Sequence, residues 1–185
     1  CRPAQLALAK SKCGTTHIKF IRVALDDIWM RDFGGCFVVD DQGGRGLVDF
    51  NFNGWGNKQT HANDTLVADE LSYQTNATYI SSQLTGEGGG IEIDGHGTAI
   101  MTESCWVNSN RNPGMSRAQI EAELKANLGL RKIIWLPGIK DKDITDAHVD
   151  FYARFASKGV VIANLDNDPK SYDYAVTRKH LDILK

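Results

Sequence analysis

Three β-hairpins recur along the sequence, and the distance between them restricts the fold more than any other feature. Each hairpin consists of two short apolar segments on either side of a turn rich in Asp, Gly or Lys. The segments are residues 36–39 and 47–50, residues 91–93 and 98–102, and residues 149–155 and 160–162. A unit that recurs every 55 to 61 residues, slightly longer than most propeller periods, predicts an α/β repeat architecture.

An ionisable residue stands where each hairpin begins. Asp32 precedes the first hairpin, and Glu87 precedes the second hairpin 55 residues later. His148 follows after a further 61 residues, and Asp150 is predicted to share one strand face with it. In a radial arrangement of repeats, equivalent strand starts converge on one axis. The spacing alone therefore predicts that these four side chains meet in one central pocket.

Helices are predicted between the hairpins. The strongest signal begins with a capping box at Ser116 and Gln119 and ends at Gly129. Three apolar residues spaced four apart form a stripe between them, namely Ile120, Leu124 and Leu128. Further predicted elements are a strand over 133–136 and helices over 64–72 and 169–184, while residues 18–23 are rich in β-favouring types.

Charge and hydropathy exclude two classes of partner. The 185 residues include 21 Lys and Arg against 23 Asp and Glu, a net charge of −2, without the basic stripe that nucleic acid requires. No segment approaches the roughly 18 apolar residues of a membrane span. We therefore predict neither a nucleic-acid nor a membrane partner. The 18 glycines predict many tight turns or close backbone approaches.

The cysteines lack the spacing of a structural zinc site, and they do not fix a compartment. They are Cys1, Cys13, Cys36 and Cys105. Two glycosylation sequons, at Asn63 and Asn76, are close to the number that chance predicts, so a cytoplasmic and a secreted protein both stay open.

The predicted pocket would bring carboxylates together, and their repulsion requires raised pKa values or a bound cation. A metal ion could use His148 and Asp150, with Asp143 and Asp146 nearby, although this is a weak pattern. An organic guanidinium matches carboxylates through its planar donors, and Trp29 could stack on it. The guanidinium uses more of the observed residues, and a metal hydrolase stays as an alternative. The other tryptophans are interpreted as core: Trp55, Trp106 and Trp135.

A series of motifs between Asp26 and Asp168 resembles one family. The motifs are Trp29-Met30-Arg31-Asp32, Asn53-Gly54-Trp55-Gly56, Glu87-Gly88-Gly89-Gly90 with Asp94-Gly95-His96-Gly97-Thr98, Thr102-Glu103-Ser104-Cys105 with Asn108 and Asn110-Arg111-Asn112-Pro113, and Asp146-Ala147-His148-Val149-Asp150. In this order they resemble the agmatine deiminase and Porphyromonas-type peptidyl-arginine deiminase family. Two local departures are Gly35, where a Pro is usual, and Ala147, where a Gly is usual. The segment 110–113 is interpreted as a structural loop with a buried arginine.

The resemblance implies a pentein fold, the five-bladed α/β-propeller of guanidine-modifying enzymes, of which this chain would form an incomplete set of blades. It implies that a cysteine thiolate attacks the guanidinium carbon of agmatine or of an arginine-containing peptide, without a metal or organic cofactor. By position, Asp32, Glu87 and Asp150 would hold the guanidinium. His148 would be the general acid and base, and Trp29 a wall of the substrate pocket.

The family's nucleophilic cysteine lies in a Gly-rich segment after the His-x-Asp motif, and none of the four cysteines matches it. We therefore expect residues 1–185 to be part of a single deiminase domain, without its N-terminal portion and its nucleophile segment. Its partners would be the remainder of the same protein and a small guanidine or arginine peptide, and a homo-oligomer is left open. A fragment, a partial sequence or loss of the nucleophile would each explain the pattern, and the last would leave a non-catalytic guanidinium-binding module.

Overall fold

The computed structural model describes residues 1–185, which form three β-sheets in chain order. The helices are α1 (Leu6–Cys13), α2 (Met30–Phe33), α3 (Gly54–Asn57), α4 (Val67–Thr75), α5 (Glu103–Trp106), α6 (Arg117–Leu128) and α7 (Tyr174–Leu184). The strands are β1 (Cys36–Val39), β2 (Arg45–Asp49), β3 (Thr78–Ser81), β4 (Glu92–Ile93), β5 (Thr98–Thr102), β6 (Lys132–Leu136), β7 (Ala153–Ser157) and β8 (Val160–Ala163). Short 3₁₀ helices cover Pro3–Gln5, Asp64–Leu66, Gly88–Gly90 and Val149–Phe151.

The first two sheets share one topology. An antiparallel hairpin, β1–β2 or β4–β5, is followed by a helix, α4 or α6, and then by a third strand parallel to the second. The third sheet consists of the antiparallel pair β7–β8, which α7 follows. The recurrence confirms the repeat architecture that the hairpin spacing predicts.

The middle strands β2 and β5 are almost wholly buried, because apolar side chains cover both of their faces. Between the first two sheets and α6 lies the main core, where the Phe50 and Trp106 rings meet edge to face at 5.4 Å. A second core of Ile100, Leu136 and Val149 joins the second and third sheets. The sheets therefore dock directly on one another, and the segments that precede their first strands are brought together.

Several local predictions are confirmed. The first two hairpins form as expected, and so does the strand after α6. The capping box also forms, because the Ser116 backbone N–H donates to Gln119 Oε1 at 2.9 Å while Ser116 Oγ accepts the Gln119 N–H. Gly129 ends α6 in the left-handed conformation, with φ of 63°. None of the helices is both long and apolar enough to cross a membrane.

The third hairpin differs from its prediction, since residues 149–151 form a 3₁₀ helix and the strand begins only at Ala153. His148 and Asp150 therefore do not share a strand face. The cause is the preceding loop, in which Asp146 and Ala147 have left-handed φ angles of 60° and 69°. The Asp143 carboxylate holds this loop by accepting the backbone N–H groups of Thr145 and Ala147.

Two other segments also differ from expectation. The last helix begins at Tyr174 rather than at 169, because Asp166 and Asp168 accept backbone N–H groups two residues ahead and fold this stretch into turns. Residues 18–23 form no strand. Their backbone bonds run to Cys1, which accepts from Val23 N and donates to Ile21 O, instead of to a sheet neighbour.

Candidate active site

A cavity of about 540 Å³ opens where the segments before the three hairpins meet. It is bordered by four of the five predicted site residues, together with one tryptophan that sequence analysis assigned to the core. These residues are Trp29, Asp32, His148 and Asp150, with Trp55. The fifth predicted residue, Glu87, is fully buried behind His148. The structure thus brings the predicted residues together, although one of them does not face the cavity.

Gly89 explains how the acidic and basic groups come so close. It lies in the 3₁₀ helix directly after Glu87, and a Cβ atom built on it would contact His148 Nδ1. The same Cβ would lie 2.8 Å from Asp32 Oδ1 and 3.0 Å from Asp150 Oδ2. Only a glycine permits these three ionisable side chains, from the first and third repeats, to surround this point.

Asp32 is held by two neutral donors. Its Oδ1 accepts the Gly89 N–H at 2.9 Å, and its Oδ2 accepts Trp55 Nε1–H at 3.0 Å. Trp55 reaches it because Gly54, Trp55 and Gly56 all have left-handed φ angles. The Trp55 ring also packs edge-on against Phe52 at 5.1 Å. The core assignment of Trp55 is therefore incomplete, and the motif 53–56 is a sequence signal that marks this residue without specifying its partner.

Asp150 is half-buried, and no protein group donates a hydrogen bond to its carboxylate. Burial raises the pKa of Asp150 above its usual value, and the charge of Asp32 raises it further, while His148 acts in the opposite direction. A cation placed beside Asp150 would favour its ionised form and so oppose this rise in pKa. Trp29 is 52% exposed at the rim of the cavity, so its ring face is free to stack on a ligand.

Glu87 contacts His148 from the side opposite to the cavity. Its Oε2 lies 3.2 Å from His148 Nε2, and Arg111 Nε donates to both of its oxygens at 2.8 and 3.0 Å. Burial works against ionisation of Glu87, but the bond from His148 and the charge of Arg111 outweigh it. The net effect holds the pKa of Glu87 below its usual range.

Arg111 is itself buried, as the structural-loop interpretation predicts, and it continues into the loop before His148. Its Nη1 donates to Asp146 Oδ2 at 2.8 Å, and its Nη2 donates to the Thr145 carbonyl at 2.9 Å. Lys58 Nζ reaches the same Asp146 oxygen at 2.8 Å. Burial opposes ionisation of Asp146, yet these donors hold its pKa well below the usual value. The loop is thereby fixed to the Glu87 pocket.

None of the four cysteines borders the cavity. Cys105 is fully buried with Sγ 3.6 Å from Glu87 Oε2, and burial together with the Glu87 charge raises its pKa well above the usual value. Burial also raises the pKa of Cys36 to about 11. Neither thiol is poised to be a thiolate nucleophile.

The donor atoms of Glu87, Cys105 and His148 lie within 4.8 Å of one another, which is close enough for a metal ion. However, Arg111 takes both oxygens of Glu87, so a metal ion would have to displace an existing ion pair. The carboxylates that the metal alternative placed near His148 are also engaged, Asp143 by backbone N–H groups and Asp146 by Arg111.

Comparison with known proteins gives one consistent result. The family model for Porphyromonas-type peptidyl-arginine deiminase matches residues 1–185. An agmatine deiminase of Stutzerimonas stutzeri is 36% identical, over 98% of this chain and 51% of the relative. The structure of the agmatine deiminase of Enterococcus faecalis superposes with a TM-score of 0.90 at 29% identity, over 98% of this chain and 51% of the other. The structure of a cysteine-to-serine agmatine deiminase of C. jejuni with substrate bound superposes with a TM-score of 0.86 at 31% identity, over 97% of this chain and 54% of the other.

These matches confirm the predicted fold class, an α/β arrangement of the pentein type that forms part of a propeller. The chain spans about half the length of the curated relatives it matches. Because the family model covers every residue, the chain belongs to the Porphyromonas-type peptidyl-arginine deiminase family.

Proposed function

We propose that the complete protein containing these residues is a guanidine deiminase, which hydrolyses a guanidinium group to a ureido group and ammonia. The observation that carries this proposal is the cavity in which the Asp32 and Asp150 carboxylates lie beside His148. The similar proteins named agmatine deiminases support the same reaction class. We propose agmatine or an arginine-containing peptide as the substrate.

The free Asp150 carboxylate and the fixed Asp32 carboxylate are suited to a planar cation. A guanidinium is protonated at physiological pH and offers five N–H donors, which can pair with two carboxylates at once. Pairing draws positive charge onto the nitrogens next to the carboxylates and leaves the central carbon electrophilic. The exposed Trp29 ring would cover the face of the bound group or its alkyl chain.

The nucleophile in this proposal is a cysteine outside residues 1–185, in the part of the protein that completes the same domain. Two observations support this: the four cysteines present do not border the cavity, and a similar solved structure is a cysteine-to-serine variant with substrate bound. The thiolate would form a C–S bond to the guanidinium carbon, and ammonia would leave as the C–N bond breaks. Water would then form a C–O bond, break the C–S bond and return the thiolate with the ureido product.

His148 is suited to both proton transfers. Its Nε2 is bonded to Glu87, while its Nδ1 lies on the cavity side, 3.8 Å from Asp32 Oδ1. Nδ1 is therefore the atom that would give a proton to the departing ammonia and take one from the attacking water. The resemblance implies that Glu87 holds the guanidinium. Its burial behind His148 instead favours a role in stabilising the imidazolium.

The first test is Asp150→Asn in the complete protein, with production of the ureido group measured on agmatine and on an arginine peptide. We expect turnover to fall by at least about 100-fold, because the variant keeps the shape of Asp150 and loses its charge. Asp168→Asn, at an exposed position, is the matched control and should be near normal. Near-normal turnover of Asp150→Asn would contradict the assignment of the site.

A second candidate function is a guanidinium-binding module without catalysis. The Asp32 and Asp150 carboxylates at the cavity favour it, because they can bind a guanidinium without a nucleophile. Calorimetric titration of the complete protein with agmatine separates the two functions. Heat of binding with no ureido product over many hours would support the binding module, whereas product formation supports the deiminase.

A further inference from the structure

Arg111 lies outside the cavity, yet its Nε, Nη1 and Nη2 atoms each donate to a residue that holds His148. Its side chain is fully buried. Arg111 Nε donates to Glu87, which contacts His148 Nε2. Its Nη1 and Nη2 donate to Asp146 and to the Thr145 carbonyl, which lie two and three residues before His148. One guanidinium therefore fixes both the partner and the backbone of the imidazole.

The charges around the imidazole are nearly balanced. Behind His148, Glu87 and Asp146 are matched by Arg111 and Lys58, and the buried Cys105 thiol is neutral. On the cavity side lie Asp32 and Asp150, with Arg31 and Arg154 also at the cavity wall. Arg111 is the cation in direct contact with the partner of His148, and water cannot screen it.

We propose that Arg111 is a positioning residue for the deiminase reaction, which orients the Glu87–His148 pair and sets the pH range in which this pair holds one proton. The inference rests on the proposed function, since the pair must exchange that proton during turnover. Arg111 itself touches neither the substrate cavity nor the reacting atoms.

The direction of the effect follows from the charge. Loss of a positive charge makes proton binding easier for each nearby group, so both macroscopic pKa values of the coupled pair should rise. The acid and alkaline limbs of the activity profile should therefore both move to higher pH in Arg111→Gln, by about 1 unit. Arg111→Lys keeps the charge but loses the paired donors, so its limbs should stay in place while kcat falls by roughly 10-fold.

The experiment compares pH profiles of kcat/KM for the complete protein with those of three variants, Arg111→Gln, Arg111→Lys and Lys58→Gln. Lys58→Gln is the matched control, because it removes a cation from the same network at Asp146, where solvent partly screens it. We expect its limbs to move by less than about 0.3 units. The inference would be overturned if the limbs of the pH profile did not move in a folded Arg111→Gln, or if they moved equally far in Lys58→Gln.

Two further measurements keep the test decisive. If Arg111→Gln does not fold, Arg111→Lys carries the test, and a folded Arg111→Lys with an unchanged kcat would overturn the inference. The ring-nitrogen chemical shifts of His148 are titrated by NMR in each variant, with or without turnover. An inactive wild-type protein would count against the proposed function alone, whereas an unshifted His148 titration in Arg111→Gln would count against the role of Arg111.

Discussion

At the scale of single residues, the site depends on side chains that serve two purposes. Trp55 packs on Phe52 as a core residue does, and its indole N–H also fixes Asp32. Gly89 has no side chain, and its small size lets His148, Asp32 and Asp150 approach one point. A pocket of this kind tolerates few substitutions, because each position satisfies packing and chemistry together.

Trp55→Phe tests the second purpose of that residue. The variant keeps an aromatic ring against Phe52 but removes a hydrogen bond to the Asp32 carboxylate, a type of bond that contributes about 1.5–3 kcal/mol. We expect KM for the guanidine substrate to rise by roughly 10-fold or more, with a smaller change in kcat, as measured by steady-state kinetics.

Trp135→Phe is the matched control for this change. Trp135 Nε1 donates to Glu121 at 2.8 Å, so the same kind of bond is lost at a residue that does not border the cavity. Equal KM values for the two variants would show that Trp55 acts through stability rather than through Asp32.

The sequence alone was sufficient to predict that Asp32, His148 and Asp150 meet in one pocket, because their spacing follows the repeat. It was not sufficient to find the contact of Trp55 with Asp32 or the burial of Glu87. Those features depend on which residues meet after folding: Trp55 is 23 positions from Asp32, and Arg111 is 24 positions from Glu87. No local pattern encodes such partners.

At the scale of elements, hairpins and caps form where short-range chemistry specifies them. Helix α6 begins and ends as its capping box and Gly129 predict. The third hairpin did not follow its apolar pattern, because the left-handed backbone at Asp146 and Ala147 directs the chain into a 3₁₀ turn. Backbone geometry also explains one departure from the family, since Gly35 has φ of 72°, which a proline cannot adopt.

Ser116→Ala tests the cap of α6. The variant removes the side-chain oxygen that accepts the Gln119 N–H, and we expect a loss of about 1 kcal/mol in the free energy of unfolding. Urea denaturation of the protein measures this loss. Ser109→Ala, at an exposed turn residue, is the control and should change stability by less than about 0.5 kcal/mol.

At the scale of the whole molecule, α7 is attached to the rest of the fold by a buried histidine. His180 Nε2 accepts the Gly138 N–H at 3.1 Å, its ring packs edge-on against Tyr152 at 4.8 Å, and its Nδ1 has no partner. Burial lowers the pKa of His180 to about 4. The folded protein therefore holds this ring neutral, while the unfolded chain would protonate it near pH 6.5.

Stability should consequently fall as the pH decreases from about 6.5 to 4, because only the unfolded state takes up this proton in that range. The expected contribution is on the order of 2 to 3 kcal/mol, measured by urea denaturation at pH 7 and pH 4.5. His180→Gln keeps an acceptor for Gly138 and should reduce the pH dependence. His96→Gln, at an exposed position, should retain it, and equal slopes for both variants would contradict this role.

Asp32, Glu87 and His148 each lie in the segment that precedes a different sheet, so the cavity exists only while those sheets are docked. The affinity of the cavity for a ligand therefore depends on how stably the three sheets pack against one another. A ligand at one hundred times its Kd would stabilise the docked state by about 2.7 kcal/mol. By reciprocity, a substitution that loosens the core around Trp106 would weaken ligand binding without altering any residue that touches the ligand.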